Sequence, residues 1–479
     1  MSMNQLFAAK HRELSAVDPD LRAMVFPDRT FTHGQLARLG EAFAHRMREH
    51  GIGRTSRVTL RSPEPLLTLA TILGCSWLGA AFVPFAGEGN TPADLAPTHV
   101  LFSSSIRTAP TAGAIEIDGT WSPALTGPLE IADETAGDPD ADWLWVHTSG
   151  TTGLPKYLGL SQNMVVGRSL AVADEFRRGS RHVLLAHVNS RPFLARAAAA
   201  LLNLSELHFE LAPEQWAGSG IDGVHGSRSL IQSVLGSKTL GKRLPRVELQ
   251  GSKLPDEEAL ALLQSFEVVD DTYGASETSK SYSTLWTIGA SGRAATKGVV
   301  RDSQIELVEA DGTKVAKGEI GAVRVRNPYM ARSYLNDPVA TSEAFRDGWF
   351  YPGDMARQDS DGRLHFLDRK ETVINLFGAK FNALFIDRVM RSTQGITDAI
   401  CFKNPKPGAK DELFAFVVFD EAANRLQATA SLRFALSEQF GDLVVPRVIQ
   451  PVNQVPRRPD GTPDRAECAA MVLRVAPRN

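Results

Sequence analysis

Cysteine is nearly absent from the chain, with Cys75, Cys401 and Cys468 the only three among 479 residues. They lie far apart without CxxC or Cys/His spacing, so neither a disulfide framework nor a zinc site is indicated, and a reducing, cytoplasmic setting is expected. An excess of either charge is also missing. Lys and Arg number 52 against 55 Asp and Glu, a formal net charge of -3, which leaves no electrostatic footprint for nucleic acid. The opening MSMNQLFAAKHREL mixes charges among its apolar residues and lacks the continuous apolar stretch of an export signal. One run, Leu66 to Phe85, approaches the length needed to cross a bilayer. Gly79 falls where a helix would stop, and AAFVPF after it reads as a short strand ended by Pro84, so helix, turn and buried strand are expected there and no membrane span. Repeats, low-complexity tracts and long charge blocks are lacking too.

The remaining composition, 43% hydrophobic and 22% charged, is that of a globular protein too long for one ordinary core, which predicts two or more domains. Short β-branched runs alternate with helical patterns: VTL near Val58, WLWVHT ending at Thr148, HVLLAHV near Val183 and RVELQ near Val247. Such alternation predicts a layered α/β architecture. From Ser303 two alternating runs joined by ADGT read as a hairpin in a β-rich subdomain, and a second turn at Asp359 to Arg363 separates GDMARQ from LHFLDRK. This pattern ends near Lys370. A large N-terminal body over residues 1–369 and a small α+β domain over residues 370–479 are therefore expected.

The strongest chemical signal is TSGTTGLPK, Thr148 to Lys156, directly after the apolar run Trp143 to His147. A strand followed by a glycine-rich polar loop is an anion cradle. Gly150 and Gly153 let the backbone turn N–H groups toward an oxyanion, Ser149, Thr151 and Thr152 add hydroxyl donors, and Lys156 supplies a mobile cation. The loop suits a polyphosphate, yet it lacks the Gly-Lys-Ser/Thr ending of a P-loop.

At these residues the chain resembles the superfamily of acyl-CoA synthetases, adenylation domains of non-ribosomal peptide synthetases and luciferases, whose signature is a TSGTTGxPK loop. TYGASET, Thr272 to Thr278, is similar to the YGxTE motif of that superfamily. The resemblance implies that Tyr273, followed by Gly274, packs on adenine, that Ser276 lies near the α-phosphate and that Glu277 holds magnesium. An aromatic face stacks well on a purine, and a carboxylate is a hard oxygen ligand. Asp271 occupies the place that accepts a hydrogen bond from the adenine amino group, and LQGSKLP makes Gly251 and Ser252 candidate nucleotide contacts. DGWFYPGDMARQDSDGRLHFLDRK resembles the block in which Asp354 would take both ribose hydroxyls and Arg369 would make a second ribose contact. The likeness runs from TFTHGQLARLGEAFAHRM at about Phe31 to the last thirty residues. It implies a C-terminal domain that pivots at Glu371, with a thiol passage near Gly378.

The implied activity is attack of a substrate carboxylate on the α-phosphorus of ATP with Mg2+ bound, loss of pyrophosphate, and transfer of the acyl group to a thiol of coenzyme A or of a carrier protein's phosphopantetheine arm. The protein mostly positions groups and neutralises charge, with Lys156, Glu277 and Arg369 as the residues expected to act in catalysis. Two departures stand against the pattern. PRRPDGTPDR puts Thr462 where the superfamily's PxxxxGKxxR has its lysine, and loss of a positioned cation costs on the order of hundredfold to thousandfold in rate. Arg457, Arg458 and Arg465 nearby in sequence, and Lys380, Lys403, Lys406 and Lys410 elsewhere in the same domain, are the candidates to replace it. INLFGAK, in turn, places Asn375 and Phe377 where a lysine and a small polar residue are frequent.

Substrate choice is weakly encoded. Asn189 to Leu202, NSRPFLARAAAALL, has no acidic residue for an ammonium group, which disfavours an α-amino acid and favours an aryl or aliphatic acid. Arg191 and Arg196 read as surface or helix-flank residues, with a second substrate carboxylate as the alternative. His147 and His187 read as packing residues. Two other functions share these motifs: a degenerate nucleotide-binding member with weak or no adenylation, for which Thr462 argues, and an amide-forming ligase that sends the adenylate to an amine.

Overall fold

The computed structural model describes residues 5–84, 95–106, 113–122, 137–148, 156–236, 238–251, 254–309, 311–369, 373–376, 379–405, 412–440, 442–457 and 463–475. The chain divides into two compact units, Met1–Ile305 with Arg324–Pro352 and Glu306–Val323 with Gly353–Asn479. The expected α/β class is what the chain adopts.

Two sheets organise the first unit. The nine-stranded sheet runs in the order Ala294–Val300, Ser279–Ile288, Phe266–Ala275, Leu244–Gln250, Gly223–Ser227, Arg181–Leu185, Glu206–His208, Arg22–Val25 and Thr30–Thr32. Its central pairs are parallel, and antiparallel pairing appears only toward its two edges. A six-stranded sheet runs Ile115–Ile117, His99–Ser103, Arg57–Arg61, Ala81–Phe82, Asp142–Thr148 and Lys156–Ser161. Every β-branched run picked out above lies on one of these strands, because parallel strands covered by helices on both faces bury Val and Ile on either side.

The apolar run is a helix, Pro65–Leu78, ended by Gly79 in the left-handed region (φ 64°) and followed by the strand Ala81–Phe82. No helix among the described residues is long and apolar enough to cross a membrane. The helix is apolar all round because it is buried all round. Its neighbour, His33–Glu49, starts with a capping box in which Thr32 and Gln35 satisfy each other's backbone donors. Close packing of these two helices rests on glycine. A Cβ added at Gly40 would lie 2.5 Å from Leu73 Cβ, and one at Gly74 would lie 2.8 Å from Met47 Sδ.

In the second unit Asp354–Gln358 pairs antiparallel with Ile320–Ala322 and with Leu364–Arg369, the latter through the expected turn at Asp359 to Arg363. The ADGT turn closes through Glu309 N–H donating to Thr313 O, and Gln304–Val308 pairs with Ile320–Arg326. Behind these, Ile396–Lys403, Leu413–Phe419 and Val448–Pro451 form a three-stranded sheet with helices Ala383–Ser392, Arg425–Phe440 and Arg465–Val475 in the same unit. Ile386, Met390, Val417, Leu432 and Leu436 make its core. Two of the cations proposed above to replace the missing lysine are already committed: Arg465 pairs with buried Asp387, and Arg457 lies 2.7 Å from Asp398 Oδ2. Arg458, Lys406, Lys410 and Thr462 lie outside the described residues.

Two outcomes are expected. Gly40→Ala gains helix propensity of about 1 kcal/mol but forces a methyl into Leu73, so denaturant melts are expected to show a net loss of roughly 1–3 kcal/mol. The second concerns His11 and His33, which are buried with Nε2 of one 3.1 Å from Nδ1 of the other. Burial lowers His33 to about 4 and His11 well below its ordinary 6.5. The unfolded chain takes up these protons first, so stability is complete above the unfolded value and is lost as pH falls toward 4. Melts should be flat above about pH 7 and, between about pH 6 and pH 5, lose roughly 1.4 kcal/mol per pH unit per histidine, and His33→Gln should flatten the slope.

Candidate active site

The two parts of the predicted site in the first unit are brought together by strand ends. Strand Asp142–Thr148 and strand Lys156–Ser161 pair antiparallel with Thr148 opposite Lys156, so Lys156 lies beside Thr148. Ser149, Gly150, Thr151, Thr152 and Gly153 lie outside the described residues. The Lys156 ammonium stands 5.1 Å from the centre of the Tyr334 ring.

Strand Phe266–Ala275 carries Asp271, Tyr273 and Gly274 at its C-terminal end, the edge of a parallel sheet where ligands bind. Gly274 is required sterically, since a Cβ there would come 2.1 Å from Ser279 O. Asp271 Oδ2 accepts from Leu254 N–H at 3.3 Å. Gly251, at φ 98°, follows the neighbouring strand Leu244–Gln250. Ser252 lies outside the described residues.

Ser276 and Glu277 sit in the turn after this strand, and the turn's carbonyls are gripped one by one. Arg191 donates to Ala275 O at 2.9 Å. Arg168 donates to Ser276 O at 3.1 Å, to Glu277 O at 2.7 Å and to Tyr329 O at 2.9 Å. Asn327 donates to Thr278 O at 2.8 Å, and Ala331 N–H to Glu277 O at 2.8 Å. Burial lowers the pKa of Arg168, and the neighbouring Arg191 guanidinium adds to the shift while Glu277 opposes it. The Glu277 side chain is buried, and its Oε1 accepts from Tyr334 Oη at 2.7 Å. Its other oxygen accepts from no described residue.

A carboxylate oxygen with no partner among the described residues suits a hard divalent cation. Among the described residues no group of three or more His, Cys, Asp or Glu could hold a metal. A single carboxylate completed by phosphate oxygens and water is how Mg2+ accompanies a nucleotide. The second unit, taken by itself, puts Asp354 opposite Arg369 in adjacent antiparallel strands. Glu371 and Gly378 lie outside the described residues.

Two readings are corrected. Arg196 is no surface residue: it pairs with Glu248 at 2.6 Å, with only 12% of its side chain exposed. Arg191 does flank a helix, as its first residue, and it donates to the Ala275 carbonyl. His187, read as a packing residue, is exposed.

The sequence reading missed Arg168, Tyr334 and a buried ionic row across the large sheet. His225, Glu248 and Asp270 are lateral neighbours on three adjacent strands. His225 Nδ1 lies 2.6 Å from Glu248, and Lys280 Nζ reaches Asp270 at 2.8 Å and Glu175 at 2.7 Å. Thr272, one residue before Tyr273, donates to both Glu248 and Asp270 at 3.3 Å. A signal for the row was available: acidic residues inside otherwise apolar strand runs, RVELQ and VVDD, demand buried partners.

With this geometry in place, the comparisons with known proteins are decisive for the class. The family model described as AMP-binding enzyme matches residues 12–335. The chain belongs to the AMP-binding enzyme family, and with it to the acyl-adenylate-forming superfamily. Over 485 residues it is 25% identical to a sulfoacetate–CoA ligase of Cupriavidus necator, covering 93% of this chain and 94% of the relative. A 3-hydroxybenzoate–CoA ligase of Aromatoleum sp. is 23% identical, with 92% of each chain covered. The fold matches that of the amide bond synthetase McbA from Marinactinospora thermotolerans with a TM-score of 0.75 at 19% identity, over 97% of this chain and 99% of that one.

Arg168→Lys can satisfy at most part of the carbonyl set that the guanidinium holds. Each bond lost from a charged donor is worth about 1.5–3 kcal/mol, so calorimetric ATP titration should show affinity reduced at least tenfold in a chain that remains folded.

Proposed function

We propose that the chain adenylates a carboxylic acid with ATP and passes the acyl group to a thiol, as an AMP-forming acid–thiol ligase. The observation that carries this reading is the convergence of Lys156, at the C-terminal end of the TSGTTGLPK motif, with Tyr334 and Glu277. Lys156 meets the polyphosphate, the loop amides and hydroxyls would cradle it, and Glu277 would hold Mg2+. The ion, when bound, neutralises charge on the phosphate oxygens and so eases departure of pyrophosphate. Tyr273 stacks on adenine, Gly274 permits the close approach, Ser276 faces the α-phosphate, and Asp271 and the Gly251–Ser252 segment border the base. Asp354 and Arg369 take the ribose. No nucleophilic side chain is needed, since the substrate carboxylate attacks phosphorus directly and a thiol then attacks the mixed anhydride.

Coenzyme A is the favoured acceptor because two ligases that match this chain over more than nine-tenths of both lengths are named for it. A carrier-protein arm, a cytoplasmic site of action and a small domain over residues 370–479 pivoting at Glu371 belong to the same proposal. The acid is aryl or aliphatic. Residues 189–202 offer no carboxylate for an ammonium group, and Arg191 and Arg196 are already engaged.

Purified protein is expected to exchange labelled pyrophosphate into ATP in a carboxylate-dependent manner across a panel of such acids, with Lys156→Ala slower by about 100- to 1,000-fold. Thr462→Lys is expected to raise the rate. Silence from both the native chain and Thr462→Lys across the panel would sink the reading.

A further inference from the structure

Glu277 and Lys156 come from distant parts of the chain, and one residue touches both. Tyr334 is buried, its hydroxyl donates to Glu277 Oε1 at 2.7 Å, and its ring faces the Lys156 ammonium at 5.1 Å. The segment that carries it is tied at both ends. Ala331 N–H donates to the backbone carbonyl of Glu277 itself at 2.8 Å, and Leu335 N–H donates to the carbonyl of Tyr157, the residue after Lys156, at 2.7 Å. Between these ties Tyr334 N–H donates to Thr341 Oγ1 at 3.0 Å, and Phe345 packs edge-on against the ring at 5.3 Å. The tyrosine therefore has little freedom of its own.

We propose that Tyr334 is the positioning residue of the metal–nucleotide site, setting the Glu277 carboxylate for the cation and the Lys156 ammonium for the polyphosphate. A phenol donating to a carboxylate makes a charge-assisted bond. By occupying one oxygen it fixes the carboxylate plane and leaves the other oxygen for the cation. The aromatic face attracts an ammonium without neutralising it, so Lys156 is held near the site yet free to leave the ring for phosphate. An acidic partner in place of the ring would hold the lysine in an ion pair and compete with the anion.

The inference rests on the reading of Glu277 as the Mg2+ ligand, and the test separates the two. ATP binding is measured by calorimetry in EDTA and at increasing Mg2+ for the native chain, Tyr334→Phe, Tyr334→His and Glu277→Gln, with melting midpoints recorded for each. Tyr334→Phe keeps the ring and loses the hydroxyl. Its ATP affinity in EDTA should stay within about twofold of native, while half-saturating Mg2+ rises roughly three- to tenfold. Tyr334→His restores an N–H donor and should recover part of that shift, which a purely structural role would not produce. If Glu277→Gln moves the Mg2+ curve and Tyr334→Phe superimposes on native, the positioning role is overturned and Glu277 stands. A Mg2+ curve unmoved by Glu277→Gln would overturn both. Should Tyr334→Phe melt far below native, the comparison of Tyr334→His with Glu277→Gln decides on the same criteria.

Discussion

A turn whose carbonyls point into the protein must be given donors, and in this protein Arg168 gives most of them. Unpaired buried carbonyls cost roughly 1–3 kcal/mol each, and the Arg168 guanidinium answers Ser276, Glu277 and Tyr329 at once. A planar fork of five N–H donors reaches several oxygens that a lysine cannot. The site depends on this choice. With the backbone of Glu277 held from behind, one oxygen of its carboxylate can face Tyr334. Tyr329 belongs to the segment that leads into Tyr334, so the same guanidinium steadies both sides of the contact.

The large sheet supports that turn from below in a costlier way. Glu248, Asp270 and Glu175 are buried among Arg196, Arg246, Lys280 and His225, in a row whose members are all within ion-pair distance of a partner. Burial alone would push the Glu248 and Asp270 carboxyls up, but the surrounding cations hold both below the usual carboxylate range. Such a cluster adds little net stability over a well-packed apolar one, although removing a single member leaves an uncompensated charge. Its effect on the site is geometric. Thr272 is bonded to two of the carboxylates, and Tyr273 is the next residue along the strand.

Much of the framework was legible because its causes are local. The helix Pro65–Leu78 stops at Gly79 because the chain needs a left-handed residue there, and Thr32 with Gln35 announces a helix start within four residues. Thr148 and Lys156 flank a glycine-rich loop that follows an apolar strand, an order visible without any tertiary information. Exposure was where the reading failed. Arg191 at the start of a helix and Arg196 in its middle look solvated in one dimension, but one donates to the half-buried Ala275 carbonyl and the other pairs with buried Glu248, while His187 is left exposed.

The sequence by itself determined the class of protein, since spaced motifs such as TSGTTGLPK, TYGASET and GDMARQ specify phosphate, purine and ribose chemistry through residue type and order. Only the tertiary structure decided which side chains hold those motifs in place. Arg168 stands 108 residues from Ser276, and Tyr334 stands 57 residues from Glu277. No periodicity or spacing links positions so far apart. Their meeting is set by the register of strands and the packing of the helices that carry them, which exist only once the chain has folded.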